Sequence, residues 1–280
     1  IAARHDTTAC PEPTQIFVFP QLSQNPLASK MAPMKLRILG IHNIESKHTL
    51  LPGYVVDDVL ALDAGSISRS LSFAEQRRIR AILVSHHHND HVRDLPAIRH
   101  NINLRTGTLD VYGLSQTLDQ LLGLHMLESH FSLHKVETDT EFTVGSHTIR
   151  AFRVPHAVPC IGYNISDGNA SLFYTGDTGV GLGNIWREIR PDALLVEVTY
   201  NDKNREEADR QGHLTPSLLG TELKDFRSTN GYTPKVVVTH IRPECEQDIR
   251  SEIIELAKTM DADITIGSPN ETMSINSIQN

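Results

Sequence analysis

The residues most able to do chemistry stand together in the stretch "AILVSHHHNDHVRDLP". Its pattern His86-x-His88-x-Asp90-His91 combines imidazole and carboxylate groups, which zinc, manganese and iron accept as ligands. On a tight loop, His86 and His88 can project to one side and reach one ion, while Asp90 and His91 point past it toward a second. His87 alternates away from its neighbours, and we expect it to be a spacer. The simpler interpretation is a histidine-rich surface turn, since the chain carries 15 histidines.

Other metal-capable side chains follow apolar strands in the same way. Loops at the carboxyl ends of strands in an α/β sheet gather around bound ligands, so residues at several such ends can meet at one site. This recurrence favours a metal centre over a chance cluster. The strand-end residues are Asp63 after "VLAL", His86 after "ILVS", His156 after "RVP", Asp177 after "FYTG", Glu197 within "LLVEV" and His240 after "VVVT".

Short strands and helices must position these residues. Alternating apolar and polar residues, or short apolar runs bounded by turn residues, predict the strands, and longer periodic segments predict the helices. Because helices lie between groups of strands, we expect two sheets sandwiched between helices. The predicted strands are 34–42, 54–65, 81–85, 147–156, 161–167, 170–179, 192–200, 235–240 and 263–267, and the predicted helices are 72–80, 115–130, 215–228 and 244–260.

Length and composition describe one large domain. A chain of 280 residues can bury a substantial core, and we expect residues 1–33 to be a tail and 34–280 to be the domain. The formal net charge of −8, without a basic block, argues against a nucleic-acid surface but not against a small phosphorylated substrate. No apolar run approaches the length of a membrane span. Three separated cysteines without a CxxC pair favour the reducing cytoplasm.

The H-x-H-x-D-H pattern, with "LDAG" before it and single His, Asp and His residues at later strand ends, resembles the metallo-β-lactamase fold from Met34 onward. The resemblance implies an α/β protein built as a four-layer αββα sandwich. It also implies two divalent metal ions, with zinc favoured over manganese or iron, and Asp63 supporting the loop. Taken singly, His156, Asp177 and His240 could each be a turn residue. Their order along the chain and their places at strand ends favour one shared set of ligands. In that family the first metal would be held by His86, His88 and His156, the second by Asp90, His91 and His240, and Asp177 would bridge the two.

A second sequence element indicates which kind of reaction the fold carries out. Glu197 and, sixteen residues later, His213 in "GHLT" resemble the Glu…Gly-His-Leu/Ser-Thr element of the phosphodiesterase branch of this fold, which includes tRNase Z. In that branch the histidine protonates the leaving oxygen, because an alkoxide leaves poorly without a proton. An acidic residue orients the histidine. The resemblance predicts that Asp90, His213 and Glu197 are catalytic. The alternative is a helix start, with Thr215 as N-cap and Pro216 at the first helical position, and both interpretations can hold.

Longer segments resemble the class II cyclic-nucleotide phosphodiesterases. The matching segments include "LPGYVVDDVLALDAGS", "VYGLSQTLDQL" and "THIRP", in which Arg242 stands where that family has lysine. They imply hydrolysis of a 3′,5′-cyclic nucleotide such as cAMP, or of a similar small phosphodiester, by a water shared between two metal ions.

Two alternatives stay open. A tRNase Z-like RNA 3′ endonuclease is disfavoured, because only 20 residues separate His156 from Asp177 and leave no room for a tRNA-binding arm. A non-hydrolytic member of the fold could use the same ligands for a di-iron centre that binds oxygen or serves as a sensor. The expected partner is a small-molecule phosphodiester, without nucleic acid or membrane, and a homodimer is one candidate assembly.

Overall fold

Two seven-stranded sheets form the core of the computed structural model, which describes residues 32–102, 108–127 and 130–278. Most of the predicted tail, residues 1–31, therefore lies outside the described residues. In order across the first sheet, the strands are β14 (Thr272–Ile275), β1 (Met34–Gly40), β2 (Gly53–Val56), β3 (Leu60–Leu62), β4 (Ala81–Leu83), β5 (Leu109–Gly113) and β6 (Phe131–Lys135). In order across the second, they are β13 (Ile264–Ile266), β12 (Lys235–Thr239), β11 (Ala193–Glu197), β10 (Ser171–Tyr174), β9 (Cys160–Ser166), β8 (His147–Val154) and β7 (Glu141–Val144).

Helices connect the strands. Among the described residues, no helix combines the length and the apolar character that crossing a membrane would require. The longest two, α8 and α9, each have 15 residues. The helices are α1 (Ile67–Ser70), α2 (Phe73–Gln76), α3 (Asn89–Val92), α4 (Leu95–Ile102), α5 (Ser115–Gly123), α6 (Gly183–Trp186), α7 (Arg205–Gln211), α8 (Pro216–Asn230) and α9 (Glu246–Met260).

The apolar side chains of the first sheet divide between its two faces. Successive side chains of a strand point to opposite faces, so neighbours such as Tyr54 and Val55 belong to different apolar clusters. Tyr54 packs in the cluster that joins both sheets, together with Tyr163 of β9. Val55 packs in a second cluster, with Ile67 of α1 and Leu118 of α5. The predicted αββα sandwich is confirmed.

The predicted strand 54–65 is wrong, because the chain turns back within it. Asp57 and Asp58 adopt left-handed backbone conformations, with φ of 48° and 61°, which aspartate tolerates better than most residues. The Asp57 carboxylate also accepts a hydrogen bond from the backbone N–H of Lys35 at 2.8 Å. Apolar residues on both sides of the turn conceal it in the sequence, and the segment becomes the antiparallel pair β2 and β3.

Several elements differ from the sequence prediction. The predicted helix 72–80 is only the single turn of α2, and α5 ends at Gly123 rather than at residue 130. Strands β5, β6, β7 and β14 and helices α1, α3, α4, α6 and α7 were not predicted, because each is too short for its periodicity to identify it. The long helices α8 and α9 agree with the prediction within two residues at each end.

Parallel pairing brings the predicted strand ends to a common edge. Strands β3 and β4 are parallel in the first sheet, and β10, β11 and β12 are parallel in the second. Strand β8 also runs parallel to β10, because both are antiparallel to β9. The carboxyl ends of parallel strands lie on one side of a sheet, so the loops after all six strands can meet.

Glu75 joins α2 to β1 and makes stability depend on pH. It closes a capping box with Ser72 and accepts a hydrogen bond from Arg37 at 2.6 Å. The Arg37 guanidinium, with help from Ser72, lowers the pKa of Glu75 to about 2, from an ordinary value of 4.5. A carboxyl group whose pKa is lowered on folding stabilises the fold fully at a pH above its ordinary pKa. That stabilisation is lost as the pH falls through the lowered pKa.

We expect Glu75→Gln to lower the free energy of unfolding at pH 7, because glutamine keeps the capping position but loses the ion pair. The deficit should shrink as the pH falls from 4.5 toward 2. Urea unfolding across this range measures it. Glu255→Gln, on the exposed face of α9, controls for the loss of one negative charge. A deficit independent of pH would contradict the ion-pair explanation.

Candidate metal centre and its histidine–glutamate pair

The structure brings all seven predicted metal ligands together in two groups. Within each group, the possible ligand atoms all lie within 4.8 Å of one another. The grouping is the one that the sequence resemblance implied, and four of the six strand-end residues belong to it: His86, His156, Asp177 and His240. The first group is His86, His88, His156 and Asp177, and the second is Asp90, His91 and His240.

Asp177 lies between the two groups. Its Oδ2 is 3.6 Å from Nε2 of His86 and 3.9 Å from Nε2 of His156. Its Oδ1 is 3.2 Å from Nε2 of His91 and 3.3 Å from Nε2 of His240. One carboxylate oxygen therefore faces each group, which is the position that a bridging ligand needs.

Unpartnered atoms show that the site fits metal ions. Nε2 of His86, Nε2 of His91 and Oδ1 of Asp177 are buried, and the described residues supply none of them with a hydrogen-bond partner. Buried polar atoms almost always have a partner, and leaving one without costs about 1–3 kcal/mol. Burial and the neighbouring histidines hold the pKa of His86 well below its ordinary value, so its imidazole is neutral and keeps a lone pair for a metal.

The site also carries an excess of negative charge. Burial alone would lower the pKa of His91, but the carboxylates of Asp177, Asp90 and Asp63 outweigh burial and hold it well above its ordinary value. Carboxylates clustered so closely attract cations. Nitrogen and oxygen donors without a thiol suit zinc, manganese or iron.

Asp63 orients two of the histidines, His86 and His91, from the side opposite their Nε2 atoms. Its buried carboxylate accepts four hydrogen bonds: from the backbone N–H and the hydroxyl of Ser85, each at 2.7 Å, from Nδ1 of His91 at 2.7 Å, and from the hydroxyl of Tyr174 at 2.5 Å. Because the Ser85 hydroxyl donates its proton to Asp63, it accepts from Nδ1 of His86 at 3.0 Å. Both imidazoles are thus protonated on Nδ1 and present Nε2 to the site.

Gly212 holds His156 in the same manner. Nδ1 of His156 donates to the carbonyl oxygen of Gly212 at 3.0 Å. Gly212 ends α7 in the left-handed region, with φ of 72°, and a Cβ there would lie 2.9 Å from Cα of His156. Only glycine permits this approach. The sequence prediction gave Gly212 no role, and because α7 was not predicted, no local signal marked this glycine as a helix end.

Glu197, Thr199, His213 and His240 form one hydrogen-bond network. Oε1 of Glu197 accepts from Nδ1 of His213 at 2.7 Å, and Oε2 accepts from the hydroxyl of Thr199 at 2.7 Å. Since that hydroxyl gives its proton to Glu197, it accepts from Nδ1 of His240 at 2.7 Å. Thr199 therefore fixes the tautomer of His240, whose Nε2 lies 3.0 Å from Asp90. Sequence reasoning missed Thr199.

His213 is placed beside the metal ligands and paired with an anion. One of its ring nitrogens lies within 4.8 Å of ligand atoms of Asp177 and His240. Burial lowers its pKa, but the Glu197 carboxylate outweighs burial and raises the pKa of His213 to about 9. The helix start also exists, because Thr215 caps α8 by accepting from the backbone N–H of Leu218 at 3.4 Å. The helix-start interpretation of "GHLTP" is confirmed, and the same loop places His213 beside the ligand groups.

Two other histidines have structural partners away from these groups. His42 is buried against Glu246, with Nε2 and the carboxylate 3.1 Å apart. His147 is buried against Asp57 at 2.8 Å. Both are therefore core histidines outside the ligand groups. The expected spacer His87 is half-buried rather than exposed.

Comparisons with known proteins agree with this geometry. The family model of the β-lactamase superfamily domain matches residues 58–241. The probable metallo-hydrolase YhfI of Bacillus subtilis is 25% identical over 205 residues, which are 69% of this chain and 82% of that protein. The crystal structure of YhfI superposes with a TM-score of 0.75 at 21% identity, and the match covers 86% of this chain and all of that one.

Two further solved structures share the fold. Unliganded yeast PDE1 has a TM-score of 0.75 at 16% identity, over 87% of this chain and 100% of that chain. The short form of human tRNase Z has a TM-score of 0.66 at 21% identity, also over 87% of this chain and 100% of that chain. At these identities, the likeness establishes the fold.

We expect Thr199→Val to weaken zinc binding by about 10-fold, in the range seen when a group that orients a metal ligand is removed. Valine keeps the shape of threonine but cannot accept from Nδ1 of His240 or donate to Glu197. Thr199→Ser should restore the affinity. Competition with a chromophoric chelator measures it, and Thr265→Val, at the exposed position of β13, is the matched control. Equal affinity in Thr199→Val and the wild type would show that the hydroxyl does not orient His240.

Proposed function

The chain belongs to the β-lactamase superfamily, whose family model matches residues 58–241, and within it we propose a metal-dependent phosphodiesterase that hydrolyses a 3′,5′-cyclic nucleotide or a similar small phosphodiester. The protein is a hydrolase of the metallo-β-lactamase fold. The observation that carries the proposal is the His213–Glu197 pair beside the metal ligands. Phosphodiester hydrolysis has a specific use for such a pair, because an alkoxide leaves poorly without a proton.

Seven residues would hold two divalent cations, with zinc favoured and manganese and iron as alternatives. When bound, the cations would lower the pKa of a water molecule and neutralise charge that develops on the phosphoryl oxygens. Asp90 belongs to both the ligand set and the proposed catalytic set. The ligands in the first group would be His86, His88 and His156, those in the second Asp90, His91 and His240, with Asp177 between them.

His213 would act as the general acid. The Glu197 carboxylate accepts from Nδ1 at 2.7 Å, so Nε2 is the nitrogen that can give its proton to the leaving oxygen. The same carboxylate stabilises the imidazolium form. The backbone N–H groups of Thr178 and Thr199, at 3.2 and 2.9 Å from Glu197, hold the carboxylate in place.

The surroundings of the site support a small substrate. Residues 157–176 are all described, and they contain β9, a turn and β10, which form a plain hairpin between His156 and Asp177. The net charge of −8 disfavours a polyanionic RNA partner. The free thiols of Cys160 and Cys245 accord with the expected reducing cytoplasm.

Metal binding should stabilise the protein. A ligand that binds only the folded state at 100 times its Kd adds about 2.7 kcal/mol, so zinc should raise the Tm of chelator-treated protein. Metal analysis should give two ions per chain. Asp177→Asn should lower that number and reduce the rise in Tm, whereas Asp110→Asn, from a surface aspartate–histidine pair, should change neither. A Tm that zinc leaves unchanged would contradict the metal centre.

Hydrolysis of cAMP and of bis-p-nitrophenyl phosphate by the metal-loaded protein tests the reaction. Asp90→Ala should abolish both activities. His213→Ala should keep its metal content and slow cAMP hydrolysis by about 100-fold, as is typical when a general acid is lost. It should affect the p-nitrophenyl ester less, because p-nitrophenolate leaves without a proton.

His134→Ala is the control, since this half-exposed histidine pairs with Asp110 away from the ligand groups. Wild-type rates for His213→Ala on cAMP would disprove its acid role. A protein that holds two irons and hydrolyses neither substrate would instead support the non-hydrolytic alternative.

A further inference from the structure

A short loop of residues 179–181 presents an apolar side chain beside the site. Val180 stands between Gly179 and Gly181, and 43% of its surface is exposed. Large aliphatic side chains are usually buried, so an exposed one at the rim of a polar site points to a contact surface. The loop begins two residues after Asp177, the carboxylate that lies between the two ligand groups.

A buried carboxylate fixes this loop. Glu222 of α8 is only 3% exposed, and it accepts hydrogen bonds from the backbone N–H of Gly181 at 2.6 Å, from that of Leu182 at 3.2 Å and from the indole of Trp186 at 3.1 Å. Burying a carboxylate is costly unless hydrogen bonds satisfy it. All three donors belong to the segment that begins with the loop, so the effect of Glu222 is to hold that segment in one conformation.

The other end of the loop is fixed to the segment that carries His156. The backbone N–H of Gly179 donates to the carbonyl oxygen of Pro155 at 2.6 Å. A Cβ on Gly179 would lie 3.4 Å from Cα of Gly212, so the loop also packs closely against the residue before His213. Val180 is therefore held at a fixed position relative to both histidines.

Val180 lines an open cavity of about 350 Å³. The cavity lies against His156 and His213, and Pro155, Ala157 and Val180 give it an apolar wall. We propose that this cavity receives the nucleobase side of the leaving group, and that Val180 is a specificity-determining residue. The inference rests on the proposed function, in which His213 protonates the leaving oxygen.

Position and size support the assignment. The organic group on the leaving oxygen must lie on the side of the acid that protonates that oxygen, and this cavity is lined by His213. Its volume is at the lower end of the range of about 300–1,000 Å³ for small-molecule sites, which suits a nucleoside rather than a polymer. A flat base can pack one face against aliphatic side chains, and that contact is apolar.

The charges around the cavity favour an uncharged group. Arg210 and Asp209 both line it, so one cation faces one anion, and the His213 imidazole is paired with Glu197. Arg210 also pairs with Glu207, and Asp209 lies 3.8 Å from Arg205. A second phosphate would find little net positive charge to bind, whereas a neutral base would not need it.

Calorimetric titration of the zinc-loaded protein with adenosine 5′-monophosphate and with ribose 5-phosphate tests the subsite. The two ligands share the phosphate and sugar and differ by the base. We expect the wild type to bind the nucleotide about 10-fold more tightly, the value for one buried apolar contact of moderate size. Val180→Ser should reduce the preference to less than about 3-fold, while Val180→Leu should retain it.

Ile254→Ser on α9 is the matched control, because Ile254 is an exposed aliphatic residue of another element, and it should keep the wild-type preference. A wild type without preference, or an unchanged preference in Val180→Ser, would overturn the subsite. If the expected preference is found but no phosphodiester is hydrolysed, the subsite stands and the proposed reaction fails. If hydrolysis is found and Val180→Ser keeps the preference, the reaction stands and the subsite fails.

Discussion

The site depends on the carboxylate of Asp63. This residue ends β3 in a left-handed conformation, with φ of 54°, and its side chain is completely buried. Four donors satisfy it, and they come from Ser85 and His91 after β4 and from Tyr174 at the end of β10. Tyr174 belongs to the opposite sheet, so one buried charge ties the two sheets together at the edge where the metal ligands meet. Without that carboxylate, four buried donors would have no acceptor in place.

The same principle recurs around the ligand groups: for four of the five ligand histidines, an acceptor on the outer side determines which nitrogen faces inward. A hydrogen bond from Nδ1 turns Nε2 toward the metal position, so an imidazole held this way needs no reorientation on binding. The acceptors differ chemically, yet each lies on a backbone segment fixed by strand pairing or by a helix end. The pairs are His86 with Ser85, His91 with Asp63, His156 with Gly212 and His240 with Thr199.

Two further buried carboxylates organise the side of the site where we place the leaving group. Glu197 orients His213 and, through Thr199, His240, so the proposed acid and a proposed metal ligand share one anchor. Glu222 holds the loop that carries Val180. Buried charges contribute little to stability by themselves, but their satisfied hydrogen bonds specify geometry. The proposed chemistry and the proposed substrate contact thus depend on the same kind of interaction.

The sequence alone determined the donor types, their order along the chain and the family, because ligand chemistry and strand-end placement are local properties. It also predicted α8 and α9, because these helices are long enough for their apolar periodicity to be recognised. Tertiary structure alone decided the turn at Asp57, the roles of Thr199 and Gly212, and the fixed position of Val180. The reason is that these features rest on contacts between distant residues, such as Tyr174 with Asp63, which are 111 positions apart. Such contacts depend on sheet order and register, which no local pattern encodes.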